Sequence, residues 1–154
     1  VNELMKKGIT LDKIRQVFKW TKQAGIDVFA YFIIGYIGET EESIKKTINF
    51  AKELDPDMLM FCAATPLPDT NLYDLAISQG FVDKDYWKSY TLEKTDKRLP
   101  FFVKDTDKWI KKAYRSFYFR PKYILRMIMK IRSWHDIKKY YYAALGLFLF
   151  RMEE

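Results

Sequence analysis

Two short apolar runs, separated by one amphipathic stretch, constrain the fold of this chain most. Residues 26–35 (IDVFAYFIIG) and residues 58–64 (MLMFCAA) have the length of strands and are almost entirely apolar. Such runs are typical of strands that are buried on both faces of a parallel sheet. Between them, residues 41–54 repeat apolar side chains at helical spacing. The pattern therefore predicts a right-handed βαβ unit of an α/β protein.

Helix-end signals predict further helices around this unit. Thr10 is in position to cap a helix over residues 11–24, and Gly25 supplies the left-handed residue that ends it. The sequence Asp55-Pro56-Asp57 breaks the helix between the two strands, and residues 71–79 form another helix. The apolar stripe of the first helix consists of Ile14, Val17 and Phe18.

The pattern changes after residue 80. Residues 81–98 are polar, aromatic and weakly patterned, which predicts a loop with little regular structure. Residues 101–103 follow a proline and predict a short strand. Thr106 is in position to cap a helix that reaches residue 118.

The tail is predicted to be helical and two-sided. Pro121 suits the first turn of a new helix, and Ser133 with Asp136 forms a capping-box-like pair that opens a last helix to residue 151. The helix after Pro121 has an apolar face and a basic face. The apolar face contains Ile124, Leu125, Ile128 and Met129, and the basic face contains Lys122, Arg126 and Lys130.

Charge is distributed unevenly along the chain. The sequence has 27 Lys and Arg against 20 Asp and Glu, a net charge of +7. Residues 105–154 hold 12 of the cations and 5 of the anions, so residues 1–104 hold 15 of each and are neutral. A basic tail is typical of a segment that meets a membrane, nucleic acid or an acidic partner, and equally of a face that packs on its own protein. The sequence leaves both interpretations open.

The single cysteine limits the chemistry of this chain. Cys62 alone excludes an internal disulfide and any zinc or iron–sulfur site whose thiolates all come from this chain, and its apolar run favours an inert buried thiol. His135 is the one histidine and is predicted to lie on the surface. No catalytic triad, zinc signature or acid–base pair of carboxylates is visible.

Membrane and export signals are also missing from the sequence. The longest nearly apolar run, residues 140–150, is too short to cross a bilayer, and no signal peptide is seen, so we expect a cytoplasmic protein, with peripheral membrane contact through the tail as an option. The chain begins without methionine, and we expect it to be part of a longer protein.

Two loops follow the predicted strands and are the candidate ligand sites. Residues 35–40 (GYIGET) and residues 65–70 (TPLPDT) lie where α/β proteins bind ligands, at the carboxyl ends of strands. Neither loop has the spacing of a P-loop or of GxGxxG. Taken alone, each loop is also compatible with a plain structural turn.

The motifs FIIGYIGET, TPLPDT and RSFYFRPKYILRMIMKI, in this order, carry a more specific resemblance. Residues 4–80 resemble the later half of a radical S-adenosylmethionine (SAM) core domain. The resemblance is closest to the class with a cobalamin-binding domain, which includes the anaerobic magnesium-protoporphyrin IX monomethyl ester cyclases. It implies a partial (β/α)6, TIM-like barrel. Residues 1–80 would be the C-terminal half of the core, residues 81–104 a connecting segment and residues 105–154 a basic helical extension.

The resemblance also implies ligands and partners. The intact enzyme would bind SAM and a [4Fe-4S] cluster, and possibly cobalamin, and would use them in oxidoreductase or methyltransferase chemistry on a small molecule. The CxxxCxxC motif for the cluster, the first half of the barrel and the cobalamin domain would precede residue 1, so we expect none of these cofactors to bind this chain alone. The SAM-contacting positions implied here are Phe32, Ile33, Ile34, Gly35, Tyr36, Thr65 and Pro66.

Two departures from the family pattern and two alternatives remain. Ile37 stands where the family usually has proline, and Asp69 where glycine is common. The first alternative is a non-catalytic interaction module whose tail binds a membrane or a protein. The second is an RNA-modifying radical SAM enzyme, although a helical tail differs from the β-rich RNA-binding domain usual there.

Overall fold

The computed structural model describes residues 8–95 and 98–149. Within these residues, seven helices accompany a parallel pair of strands. The elements are α1 (Leu11–Gln23), β1 (Phe29–Ile34), α2 (Glu41–Leu54), β2 (Met58–Ala63), α3 (Asn71–Ser78), α4 (Tyr86–Thr91), α5 (Thr106–Tyr118), α6 (Pro121–Met129) and α7 (Trp134–Leu149). The βαβ unit is confirmed. The two strands do not by themselves confirm a barrel.

The two strands pair in register from Phe29 with Met58 to Ile34 with Ala63. Because side chains alternate along a strand, this register gives the sheet two distinct faces. Helices α2 and α5 cover one of them and bury Ile44, Ile48, Ile110 and Phe117 against it. The strand residues on that covered face are Ala30, Phe32, Ile34, Leu59 and Phe61.

The opposite face of the sheet is open, so the expectation of strands buried on both faces is wrong for the described chain. Tyr31 is 69% exposed and Met60 41% exposed in the middle of their strands. Neither of these two side chains has a covering layer within residues 8–95 and 98–149, whereas Ile33, at the carboxyl end of β1, packs in part against the apolar core that contains Tyr36 and Ile37. We call this surface the open face; its members are Phe29, Tyr31, Ile33, Met58, Met60 and Cys62.

The outer edge of β2 is closed by two tyrosines of α5. Tyr118 Oη accepts from Leu59 N (3.0 Å) and donates to Leu59 O (2.8 Å). Tyr114 lies one turn earlier on α5. Its Oη accepts from Phe61 N (3.1 Å) and donates to Phe61 O (3.3 Å). Each hydroxyl thus replaces the donor and acceptor that a neighbouring strand would supply. Consequently another strand can join this sheet only at β1.

Residues 81–95 and 98–106 are more ordered than the sequence indicates. Residues 86–91 form helix α4 within the predicted loop, and residues 101–103 contain a bend at 102–103 and no strand, although a strand was predicted there. Thr106 is not the cap of α5, because Asp105 occupies that position in a left-handed conformation. Thr106 begins the helix instead, is 1% exposed and donates to Val103 O at 2.7 Å. Most of the aromatic side chains of this segment, which show no strand or helix periodicity in the sequence, pack against an apolar core.

The caps at Thr10 and at Ser133 with Asp136 are confirmed, but apolar stripes at the ends of the chain have little cover. Helix α1 has no buried residue, and Val17 of its predicted stripe is exposed. The apolar face of α6 is exposed as well, at Ile124, Leu125, Ile128 and Met129. In α7, Asp136 accepts from Ser133 N and donates its own N–H to Ser133 Oγ. The predicted end of this helix at residue 151 lies outside the described residues.

Candidate functional site

The two candidate loops lie side by side at the carboxyl end of the sheet. Ile34 and Ala63 end their strands as partners, and Ala64 N donates to Ile34 O at 3.0 Å. Residues 35–40 and 65–70 therefore leave the sheet from adjacent points, as expected for parallel strands. The structure therefore brings the two candidate loops close together.

The first loop is closed by its own glutamate. Glu39 Oε2 accepts from Gly35 N (2.7 Å) and Tyr36 N (3.3 Å), and Glu39 N donates to Tyr36 O (2.9 Å). Glu39 is 9% exposed, and its second oxygen, Oε1, is buried without a hydrogen-bond partner among the described residues. Thr40 and Ser43 then form a reciprocal capping box that starts α2. The carboxylate thus fixes the backbone that leads from strand to helix.

Gly35 makes a close approach, although to a protein side chain. Its φ is +84°, and a Cβ built on it would lie 2.7 Å from Thr106 Oγ1 and 2.8 Å from Thr106 Cγ2. A glycine at the carboxyl end of a strand can let a ligand come close to the backbone. In the structure, this space holds the first residue of α5. Any larger side chain at Gly35 therefore displaces Thr106 before it affects a ligand.

The second loop is held by internal hydrogen bonds and by α4. Thr70 Oγ1 donates to Leu67 O (2.6 Å) and accepts from Tyr73 N (3.2 Å), which caps α3. Pro66 is fully buried, and its carbonyl accepts from Trp87 Nε1 at 2.7 Å. Asp69 has φ +58°, a conformation that favours glycine and that Asp tolerates better than most residues, so this departure from the family pattern preserves the turn.

The structure separates the seven predicted SAM-contacting residues by accessibility. Only Ile33, half-buried on the open face, and Thr65, exposed in the second loop, present side chains outwards. Phe32 and Ile34 point into the helix-covered core. The remaining three, whose side chain or Cα is packed against protein, are Gly35, Tyr36 and Pro66. Ile34, Gly35, Tyr36 and Pro66 are buried and could contact a ligand mainly through backbone atoms, whereas Phe32 is half-buried on the helix-covered face.

The open face supplies candidate contacts that the motif missed. Tyr31 and Met60 are cross-strand partners, and so are Ile33 and Cys62. Counting in steps of two from Ile33 would have found Tyr31, because alternate side chains share a face. Burial raises the pKa of the Cys62 thiol above its ordinary value, so this half-buried cysteine is neutral near pH 7. The surface is therefore apolar and uncharged.

The amino end of the sheet is charged, in contrast to the apolar open face. Here the turn that contains Asp55 and Asp57 is bound by cations of the tail. Asp55, in a left-handed conformation at the end of α2, pairs with Arg120 (2.7 Å), Lys122 (3.1 Å) and Arg126 (3.3 Å). The neighbouring Asp57 pairs with Lys130 at 3.3 Å. The cations predicted to face an external anionic surface, Lys122, Arg126 and Lys130, therefore bind carboxylates of this chain.

These pairs change the titration of both aspartates. Burial on its own would raise the pKa of Asp55, but the hydrogen bond from Lys122 and the charges of Arg126, Lys122 and Arg120 outweigh it and lower the pKa. The pKa of Asp57 is likewise lowered, because the Val28 N–H and Lys130 outweigh burial. Both carboxylates are ionised near neutral pH. Their ion pairs with the tail therefore hold the turn at residues 55–57 against α6.

Two kinds of feature are absent from the described residues. No group of three or more His, Cys, Asp or Glu side chains within residues 8–95 and 98–149 is arranged to hold a metal ion. In the same part of the chain, no helix has the length and apolarity needed to cross a membrane. His135 is exposed, as predicted.

Comparison with known proteins identifies enzymes as relatives, and no family model matches the chain. An uncharacterized methyltransferase of Pyrococcus horikoshii is 37% identical over 129 residues, which are 83% of this chain and 28% of that protein. The anaerobic magnesium-protoporphyrin IX monomethyl ester cyclase of Rubrivivax gelatinosus is 30% identical, over 46% of this chain and 13% of that protein. The tRNA-2-methylthio-N(6)-dimethylallyladenosine synthase of Baumannia cicadellinicola is 31% identical, over 47% and 17%.

The chain thus spans less than a third of the length of these relatives. They are methyltransferase and radical SAM-type proteins, which supports an enzymatic family and does not favour a non-catalytic interaction module. They do not test whether a cobalamin-binding domain is present, nor do they separate oxidoreductase from methyltransferase chemistry. The comparisons therefore support the resemblance of this chain to radical SAM enzymes.

Proposed function

We propose that this chain is the C-terminal portion of a radical SAM enzyme and that its open face and two strand-end loops form part of the wall of the SAM-binding barrel. The observation that carries the proposal is the asymmetry of the sheet. One face is packed by helices, whereas the other is apolar, uncharged and open, and it leads to both candidate loops. In a barrel, the helix-covered face is the outside and the other face lines the interior.

The edges of the sheet support the same proposal. The outer edge of β2 is closed by Tyr114 and Tyr118, which supports a place for β2 as the last strand of the proposed barrel. No backbone partner lies on the outer edge of β1 among the described residues. A sheet with one closed and one open edge fits the end of a partial barrel whose preceding strands pair with β1. The missing half of the barrel, and a cobalamin domain where one exists, are the proposed partners.

The residues present fit SAM as one wall of a pocket. Ile33 and Thr65 offer side chains, and the apolar open face suits the adenine ring of the ligand. The [4Fe-4S] cluster would need thiolates from the rest of the protein, since Cys62 is the one cysteine here. When bound, cluster and SAM supply the radical or methyl chemistry. The part of this chain is to bind and orient SAM and to exclude water from it.

The test places a positive charge in the second loop of the full-length enzyme. Thr65→Lys should weaken SAM binding by about tenfold or more, because the ammonium repels the sulfonium of SAM at close range. Ser78→Lys is the matched control, since Ser78 is also an exposed hydroxyl residue bonded to a backbone carbonyl, at the end of α3. Anaerobic equilibrium dialysis measures the dissociation constant. Equal affinities of Thr65→Lys and wild type would contradict the proposed pocket.

A further inference from the structure

The two candidate loops are each held by a residue from the segment that follows the βαβ unit. In the second loop the contact is the hydrogen bond from Trp87 Nε1 to Pro66 O, at 2.7 Å. Proline has no N–H of its own, so its carbonyl is the backbone group through which a hydrogen bond can fix it. Pro66 is fully buried, and Trp87 is supported by ring contacts with Tyr86 and Tyr90. The indole thus defines the position of this carbonyl.

In the first loop the contact is steric. Thr106 is 1% exposed, and its hydroxyl donates to Val103 O at 2.7 Å, which fixes the side-chain rotamer. Its Oγ1 and Cγ2 occupy the space where a Cβ of residue 35 would lie. Gly35, in turn, is bound through its N–H to Glu39. The first loop is therefore held between its own carboxylate and the start of α5.

An apolar core connects the first loop and the residue after β2 to the segment that carries Trp87. It contains side chains of the first loop, the residue after β2, helix α3 and the segment after α3. We call it the carboxyl-end core; its buried members are Tyr36, Ile37, Ala64, Tyr73, Ala76 and Val82. Trp87, Leu99 and Phe102 pack against it. Tyr73 Oη also donates to Asp83 O and Lys84 O, at 3.3 and 2.9 Å, which anchors the start of the segment on α3.

We infer that the segment around α4 and the start of α5 sets the relative position of the two loops, with Trp87 positioning Pro66 and Thr106 positioning Gly35. The inference rests on the proposed function insofar as the loops are taken to bind SAM. Trp87 and Thr106 are positioning residues, since each acts through a loop residue. The segment is thus part of the binding site's support and more than a connection between the core and the tail.

The main experiment removes one N–H and keeps a smaller aromatic ring in place of the indole. In the full-length enzyme, Trp87→Phe should raise the dissociation constant for SAM by about tenfold, the effect of one lost hydrogen bond between uncharged groups. It should also increase hydrogen exchange of the amides in residues 64–70. The control is Trp20→Phe, because Trp20 is exposed on α1, where neither affinity nor exchange should change. An unchanged dissociation constant for Trp87→Phe overturns the inference, whatever happens to the melting temperature.

A second pair of variants tests the steric contact. Gly35→Ala should weaken SAM binding, because the new Cβ meets Thr106 and because the left-handed backbone disfavours alanine. Adding Thr106→Ala should restore part of the affinity, since it removes Oγ1 and Cγ2 and leaves only the backbone strain. A double variant that binds no better than Gly35→Ala overturns the role of Thr106.

The outcomes also separate this inference from the proposed function. If the wild-type enzyme binds no SAM, the proposed function is wrong, and exchange in residues 35–39 and 64–70 then decides the inference by itself. Faster exchange in Trp87→Phe than in Trp20→Phe supports the positioning role in that case, and equal exchange overturns it.

Discussion

The two ends of the sheet are held in physically different ways. At the carboxyl end, neutral contacts from Trp87 and Thr106 hold loops that leave an apolar face open. At the amino end, three cations of the tail surround Asp55. A ligand site benefits from a surface without fixed charges nearby, whereas a turn far from that site can be locked by ion pairs. The comparison indicates that residues after position 80 support both ends of the βαβ unit, by packing at one end and by charge at the other.

The largest effect is expected from Asp55→Asn, which should lower the free energy of unfolding by about 3 kcal/mol. Asp55 is nearly buried, and its loss leaves Arg120 and Arg126, both mostly buried, without their shared carboxylate. Urea denaturation of the full-length protein measures the change. Glu53→Gln is the control, because the Glu53 pair with Arg15 is half exposed and screened by solvent, so its loss should lower the free energy of unfolding much less. Equal losses would show that the charge cluster is no stronger than a surface pair.

Acid should break the same end of the molecule selectively. The pKa values of Asp55 and Asp57 are lowered in the folded state, so their contribution is fully present above the unfolded value, about 4, and is lost as pH falls through the folded values. We expect the free energy of unfolding to decline below pH of about 4. Asp55→Asn should flatten this decline. If the free energy of unfolding depends on pH identically in the variant and the wild type, Asp55 does not cause the decline.

Loss of the tyrosine hydroxyls at the β2 edge should have an intermediate effect. Tyr118→Phe leaves Leu59 N and O without their partner and should lower the free energy of unfolding by about 1–2 kcal/mol. Tyr114→Phe should behave similarly through Phe61. Tyr141→Phe is the control, since Tyr141 is mostly exposed on α7. If Tyr118→Phe is as stable as this control, the hydroxyl does not close the edge.

The smallest effect is expected from Lys122→Ala. Its ammonium lies 3.1 Å from Asp55, but the side chain is 79% exposed, so solvent screens the pair and the loss should stay below about 0.5 kcal/mol. Arg126→Ala should cost more, because Arg126 also donates to Pro56 O at 2.9 Å. Thermal denaturation compares the two variants. Equal shifts in melting temperature would indicate that exposure does not weaken the Lys122 pair.

Membrane contact of the tail remains a prediction. The ion pairs change which side chains are expected to make that contact. With Lys122, Arg126 and Lys130 bound to aspartates, the exposed apolar face of α6 is the surface left to contact lipid. Co-sedimentation of the full-length protein with anionic vesicles should then depend on Ile128 and Met129 more than on Lys122. Loss of sedimentation in Lys122→Ala alone would restore the electrostatic interpretation.

Local sequence signals predicted most of the elements and failed where packing partners come from distant residues. Thr10, Thr40 and Asp55 begin or end helices through contacts within a few positions, so their roles follow from spacing. Trp87 and Thr106 act on Pro66 and Gly35, which lie 21 and 71 positions earlier in the chain. No local pattern marks such a contact. The motif identified both loops. The structure showed which of their atoms already contact other parts of the protein.

The sequence by itself determined the βαβ order, the two strand-end loops, the helical basic tail and the resemblance to radical SAM enzymes, because periodicity, caps and motif order are local properties. Tertiary structure decided which face of the sheet stays open, where the tail cations bind and how the edge of β2 is closed. Each of these depends on strand register and on the approach of α5 and α6, which bring together groups more than 50 positions apart. Register converts a uniform apolar run into one buried and one exposed face, since alternate side chains must point to opposite sides.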